Sequence, residues 1–387
     1  MSFFKDRNYY LKDYNLSFSE KVERFNYIYL FFIFLIVCIG FLALYSVGGG
    51  NFVPWTQKQF FRFVVGLIAC LVIASVNLRF WMRYAYVIYG VSLIGLVAVS
   101  LFGHVGMGAQ RWLNFGFIQV QPSEMMKVAL VLALARYFHG RSVEEIRSVK
   151  FLMTPLLLMA VPVALILEQP DLGTALMLVF VTAALLFAVG VQLWKFAVLI
   201  GGGLVALPVL WSFLHDYQRK RILTFLNPEN DPLGAGYHIM QSKITLGSGG
   251  AFGKGFLQGT QSRLNFIPEK QTDFIFTVLS EEFGFMGSFA LLLLYCIVIG
   301  YGFYIADRCQ SFFGKLLVLG LTINFALYVF MNMAMVMGLM PVVGIPLPLV
   351  SYGGTAMLTL MIGVGLIECA DINHDMVIGR RGSIDDE

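Results

Sequence analysis

Charge is what this sequence has least of. Of its 387 residues only 13% are charged and 58% are apolar, whereas a soluble globular chain carries about 25% charged and about 45–50% apolar residues. So large an apolar share cannot be hidden in one soluble core, which excludes a soluble enzyme and a disordered chain. Cysteine is scarce too. The five (Cys38, Cys70, Cys296, Cys309 and Cys369) are odd in number and form no CxxC, so neither a disulfide framework nor a zinc site is implied. The five histidines are scattered, with no HExxH. The glycine-rich stretch 247–255 has Ser248 where a phosphate loop needs glycine and Gly255 where it needs Ser or Thr. It reads as a flexible, turn-rich loop or as a backbone nest for an anion. A net charge of +4 without a clustered basic face gives no nucleic-acid footprint. The alternating polarity of porin-type strands is also missing.

What the chain has instead is long apolar runs, near 26–46, 60–77, 82–102, 122–138, 151–167, 172–190, 192–214, 273–305, 313–340 and 349–370. A spanning helix needs about 20 apolar residues, and backbone in lipid must pair internally, so these runs predict helices. The expected fold is an all-α integral membrane protein of about ten transmembrane helices. The run 273–305 is long for one span and is expected to begin above the bilayer. A polar tail over 1–25 leads into a membrane core over 26–370, followed by a second tail over 371–387. The first tail reads as uncleaved, because the apolar run after it is too long for a signal peptide. A long extracytoplasmic loop, 215–272, separates spans seven and eight.

Lys and Arg in the short segments set the orientation. Lys5, Arg7, Lys12, Lys21, Arg24, Arg79, Arg83, Arg136, Arg141, Arg147, Lys150, Lys195, Arg308, Lys315, Arg380 and Arg381 fall on the side of the termini. Only Lys58, Arg62 and Arg111 fall in the short loops opposite. Both termini are therefore expected in the cytoplasm. The long loop breaks the pattern with seven basic residues from Arg219 to Lys270, as long translocated loops do.

Ionisable residues at the external membrane face are costly unless they face a cavity or a partner, so they are the candidate site. In Gln121–Lys127, Pro122 suits a first helical turn, and Glu124 and Lys127 share a face. They read either as a structural ion pair or as a cavity-lining pair whose ammonium can meet a phosphate. Asp171 either caps the next helix or serves the site. Arg111, beside Trp112, is an interfacial anchor or a bidentate phosphate ligand. Gln59 and Arg62 lie three apart, and Arg62 either snorkels to headgroups or faces the site. Asp273 stands at the lip of an apolar helix. It could cap that helix, but Thr272 could do the same, which leaves the carboxylate available as a general base. Glu281 and Glu282 follow. Pro341, Pro346, Pro348 and the run Ser351-Tyr352-Gly353-Gly354-Thr355 mark broken backbone that must line a cavity or lie inside protein.

The segments GAQRWL, QPSEMMK, EQPDLGTA, NPENDPLGAGYH, PEKQTDFIF with the following EEFG, and GIPLPLVSYGG occur in that order between residues 26 and 370. They resemble the SEDS family of bacterial cell-wall polymerases. The stretch 253–262 is similar to the elongation-type member more than to the division-type member. Gln271 stands where members often carry histidine.

The resemblance implies a peptidoglycan glycosyltransferase in the bacterial inner membrane. It would polymerise lipid II, a disaccharide-pentapeptide on undecaprenyl diphosphate, at the outer face during elongation. A class B penicillin-binding protein and the elongation machinery are the implied partners, and a divalent cation (Mg2+ or Mn2+) is the implied cofactor. The family's essential aspartate falls on Asp273, the expected base on the acceptor hydroxyl. Arg111, Lys127, Arg62, Gln59 and Ser351 are the expected diphosphate contacts. Glu124 and Asp171 are the supporting carboxylates, and with Asp273 they are the candidate metal ligands. Rival readings are a lipid II flippase, a division-type polymerase and a non-catalytic scaffold for the crosslinking partner.

Overall fold

Each expected span becomes one helix, and several of their starts are fixed by short-range capping. The computed structural model describes residues 16–379 apart from 107–108, 115–118, 143–144, 147, 214–218, 220–222, 228, 230, 232–233, 265 and 267–268. Lys5, Arg7, Lys12, Arg147, Lys220, Arg221, Arg380 and Arg381, used above for orientation and for the charge of the long loop, lie outside the described residues. So do Gly108, Pro228, Asn230, Pro232, Leu233 and Pro268 of the motif segments.

A short helix α1 (Phe18–Glu23) precedes α2 (Tyr27–Val47), α3 (Trp55–Ser75) and α4 (Leu78–Phe102). Then come α5 (Pro122–Phe138), α6 (Val149–Glu168), α7 (Leu172–Val189) and α8 (Leu193–Phe213). In the long loop lie α9 (Ala235–Ser248) and α10 (Thr260–Arg263). The chain closes with α11 (Ile275–Arg308), α12 (Phe312–Val336) and α13 (Gly354–Ile372). Side chains of Asn26, Asn77 and Ser311 cap α2, α4 and α12, and Pro122 opens α5 as its first residue. Among the described residues eight of these helices are long and apolar enough to cross a membrane: α2, α3, α4, α6, α7, α11, α12 and α13. The shorter α5 is buried along nearly its whole length. It packs against α4, α7 and α12, while α13 lies along α3.

Two features depart from the all-α expectation. Between α4 and α5 a small antiparallel sheet forms from β1 (His104–Gly106), β2 (Ala109–Asn114) and β3 (Gln119–Val120). Strands this short carry no readable alternation. And α11 is broken at Gly284, whose φ of 65° is one that side chains other than glycine rarely adopt.

The glycine-rich stretch docks on that break. Lys254 N and Gly255 N donate to Glu281 O and Glu282 O (both 3.0 Å), while Phe285 N donates to Gly250 O at 2.9 Å. A Cβ on Gly284 would lie 2.7 Å from Ala251 O. The stretch is thus a backbone splice rather than a loose loop, and the N–H groups of Lys254 and Gly255 are spent on the helix. Glu281 adds a side-chain clasp, accepting from Lys254 Nζ (2.7 Å), Gln261 N (2.9 Å) and Ser262 N (3.2 Å). Ser46 Oγ donates to Glu282 and so ties the end of α2 to the same place.

The expected break near Pro341–Pro348 is also present. Between α12 and α13 the chain runs from 337 to 353 without regular helix. From 343 to 351 it is largely buried, as non-helical backbone at membrane depth must be.

Candidate functional site

Asp273 lies in a turn over 269–274, just before Phe274, the N-cap of α11. Neither Asp273 nor Thr272 caps that helix. The Thr272 hydroxyl instead donates to Glu269 O at 3.2 Å, and the cap makes no side-chain hydrogen bond. The turn is bolted to the non-helical segment. Ser351 Oγ donates to Thr272 O (2.6 Å) and accepts from Leu347 N (2.8 Å), and Tyr352 N donates to Gln271 O (2.8 Å). Asn332 Nδ2 bridges Asp273 O (2.8 Å) and Ile345 O (2.7 Å). The carboxylate faces Gly344, where a Cβ would come 3.6 Å from Oδ2. Asp273 is therefore half-buried on rigid backbone.

Gln59 and Ser351 meet through the main chain. Gln59 Nε2 donates to Ser351 O (3.0 Å), and Gln59 Oε1 accepts from Gly353 N (3.4 Å). Both residues serve main chain. One turn further along α3, Arg62 stacks on the Tyr352 ring with its guanidinium carbon 4.3 Å from the centroid. Trp55 meets the same ring edge-on at 4.9 Å.

The other candidates form a separate cluster. Lys127 Nζ donates to Glu124 Oε1 at 2.6 Å and to Tyr328 Oη, and Tyr328 in turn donates to Glu124 Oε2. The Lys127 side chain is 2% exposed, so this triangle is closed inside the bundle and its ammonium is not open to a phosphate. Asp171 caps α7, accepting from Thr174 N (3.2 Å) and Thr174 Oγ1 (2.9 Å). The Arg111 guanidinium donates to Gln169 O at 3.4 Å and to Pro170 O, and lies 4.0 Å from Asp171 Oδ2. It thus sits on the carbonyls just past the C-terminus of α6, where a cation is favoured. For Glu124–Lys127 and for Asp171 the structural alternative describes the geometry.

This donor set bears on the divalent cation. Each oxygen of Glu124 already accepts from Lys127 or Tyr328, and those of Asp171 accept from Thr174 and Gln121. Among the described residues no group of three or more His, Cys, Asp and Glu side chains could hold a metal. The three candidate carboxylates do not fit a resident metal site.

Sequence reasoning missed Tyr328, Asn332 and His238. Tyr328 and Asn332 were signalled only as polar residues inside an apolar helix. His238, on α9, packs its ring 6.4 Å from that of Phe274. Burial holds its imidazole below the ordinary value, against the opposing pull of Asp231 and Glu269. Burial likewise lowers Lys270, whose ammonium donates to Ser262 O at 2.7 Å.

The sequence profile of the family described as Cell cycle protein (FtsW, RodA, SpoVE) matches residues 26–375. The chain is 43% identical to the peptidoglycan glycosyltransferase MrdB of Escherichia coli K12 over 341 residues, covering 87% of this chain and 90% of that one. It is 37% identical to the probable peptidoglycan glycosyltransferase FtsW of Trichlorobacter lovleyi over 360 residues, covering 90% and 93%. Among solved structures, a chain from a study of polymerization and crosslinking by a peptidoglycan synthase complex superposes with a TM-score of 0.80 at 31% identity, over 90% of this chain and 98% of that one. The rod shape determining protein RodA of Thermus thermophilus gives 0.69 at 28% identity, over 90% and 97%.

Proposed function

The chain belongs to the FtsW/RodA/SpoVE family, and from that premise we propose that it polymerises lipid II into glycan strands in the inner membrane of the cell, as an elongation-type enzyme. In this reading all ten long helices span the bilayer and both termini are cytoplasmic. The long loop and the Asp273 end then face outward. A lipid-linked donor suits such a bundle, because its polyprenyl tail stays in lipid while its sugars sit at the outer surface.

The reaction joins a sugar hydroxyl of one chain to the anomeric carbon of another, and a polyprenyl diphosphate departs. The hydroxyl is a weak nucleophile until a base takes its proton, a contribution of about 10²–10⁴-fold in rate. Asp273 is that base. The observation that carries this role is how its turn is held. Ser351, Tyr352 and Asn332 fix the backbone on both sides of the residue, and the carboxylate is not used to cap α11. A base must be pre-positioned to work, and rigid backbone supplies this. The Glu124–Lys127–Tyr328 triangle and the Asp171 cap hold the helices around it. A divalent cation remains part of the proposal only as a companion of the substrate's phosphates, and no step here passes through it. A class B penicillin-binding protein is the proposed partner.

The test uses the purified protein, labelled lipid II and Asp273→Asn. Glycan chains from the wild type, and none from a variant that still binds lipid II, are expected. Equal polymerisation by both would remove Asp273 from the mechanism. Lipid translocation in vesicles without polymer would replace the enzyme by a flippase.

A further inference from the structure

Two buried acids take no part in the proposed reaction, and both sit at the end of α13 away from Asp273. Glu368 and Asp371 are three apart in the last turns of that helix, hence on one face. Glu368 is 0% exposed and Asp371 is 4% exposed. One residue clasps them both. Asn26, the N-cap of α2, donates its main-chain N–H to Glu368 Oε2 (3.1 Å) and its Nδ2 to Asp371 Oδ2 (2.9 Å). The start of the first long helix is thereby tied to the end of the last.

The second oxygen of each acid has no donor. Among the described residues, Glu368 Oε1 and Asp371 Oδ1 are buried without a hydrogen-bond partner. Asp371 does have a counter-charge, since Arg308 Nη1 on α11 lies 3.7 Å from its Oδ1. Glu368 has none among the described residues. The cations that close this end of the bundle are spent elsewhere. Lys21 Nζ donates to Ser75 O (2.7 Å), while Arg24 donates to Ile372 O (3.4 Å) and pairs with Asp375 (3.2 Å). Arg308 also lies 3.2 Å from His374 Nε2. The titratable neighbours of Glu368 on the helices packed against it are Tyr29 of α2 and Cys70 of α3. A hydroxyl and a thiol supply no positive charge.

A buried carboxylate with neither counter-charge nor full hydrogen bonding is very costly to keep ionised. Something must neutralise it. A hard metal ion takes about six or more oxygen ligands, and among the described residues no group of three or more His, Cys, Asp and Glu side chains could hold a metal. The Arg308 guanidinium beside Asp371 would also repel a metal ion. A proton needs one oxygen, and Glu368 Oε1 offers it. An O–H there turns an acceptor without a donor into a donor.

We propose that the Asn26–Glu368–Asp371 clasp is a proton site. Glu368 Oε1 takes one proton from the water on the side of the bundle where α2 starts and α13 ends. It holds that proton at neutral pH while Asp371 stays ionised beside Arg308. An O–H bond forms on the carboxylate, its negative charge is cancelled, and nothing is oxidised or reduced. When the proton leaves, a bare charge remains in the clasp and the tie between α2 and α13 weakens. The site is independent of the polymerase reading.

The experiment reads the proton, not the polymer, so the two fail separately. The full chain in phosphatidylcholine nanodiscs is compared with Glu368→Gln and Asp371→Asn by infrared difference spectroscopy at neutral pH. The carbonyl stretch of one protonated carboxyl, shifted by deuterium oxide, is expected in the wild type and is lost in Glu368→Gln. Melting temperature gives a second reading. A folded state that holds one proton more than the unfolded chain loses about tenfold in its folding equilibrium for each unit of rising pH. The melting temperature of the wild type should therefore fall relative to that of Glu368→Gln between about pH 5.5 and 7. Replacing choline by sodium at constant ionic strength should move neither.

A carboxyl band that survives Glu368→Gln overturns the proposal, and so do parallel melting profiles. A band lost only in Asp371→Asn would put the proton on the aspartate, against the assignment. Glutamine is the neutral isostere of a protonated glutamate, so a Glu368→Gln protein that cannot fold also refutes it. A sodium-dependent rise in melting temperature in the wild type alone would place a metal ion in the clasp, and the proton site falls.

Discussion

Asp171 and Asp273 both stand just before an apolar helix, and in sequence they look alike. In the structure they are used in opposite ways. Asp171 turns its carboxylate back onto its own helix, where Thr174 takes both oxygens. The turn of Asp273 is held through main-chain atoms by residues 59 to 81 positions away, and its carboxylate lies beside Gly344. One acid is consumed by local structure. The other is carried on a scaffold built from distant parts of the chain, which is the arrangement a reacting group needs.

The contrast is most directly broken by exchanging the two losses. Asp273→Asn should lower the polymerisation rate by about 10²–10⁴-fold while lipid II binding and melting temperature hold. Asp171→Ala should lose a cap, about 1 kcal/mol of stability, with turnover changed little. Equal loss of turnover in both, from folded proteins that bind lipid II, would erase the distinction. Between these in size lies the buried triangle. Removing one member of a buried pair costs about 3–5 kcal/mol, because the other charge is left without compensation. Lys127→Met and Glu124→Gln should each lower the melting temperature sharply, and the double variant should lose less than the sum. A double variant that loses the full sum would show that the two side chains do not act as a pair.

The helices were legible because a run of about 20 apolar residues admits one solution in lipid. The caps were legible where they act within three residues, as at Asp171 and Pro122. The candidate list was legible too, since an ionisable residue near an apolar run stands out. What could not be read was how each was spent. Arg111 bonds to carbonyls 58 and 59 positions away and Lys127 to a tyrosine 201 positions away. Nothing local marks such pairs. The glycine-rich stretch misled for the same reason. Its glycines serve close backbone contact with the break at Gly284, a purpose invisible until both segments are placed.

The smallest expected effect sharpens the same comparison by pH. His238 packs on Phe274 and its Nδ1 is buried without a partner, so burial keeps the ring neutral more strongly than Asp231 and Glu269 favour its charge. An unfolded chain would take up a proton at this residue near the ordinary value of about 6.5, and the folded chain only at lower pH. Stability contributed by the neutral ring is therefore present above about pH 6.5 and is lost as pH falls below it, because the unfolded state then binds the extra proton. The ring is partly exposed, so solvent screening keeps the effect below that of one full proton. The melting temperature of the wild type should drift down between pH 7 and 5.5 more than that of His238→Gln, with His139, buried at the far end of α5, common to both. If the two profiles run parallel, the imidazole is not coupled to folding. The turn of Asp273 would then be no more sensitive to its neighbours than the turn of Asp171.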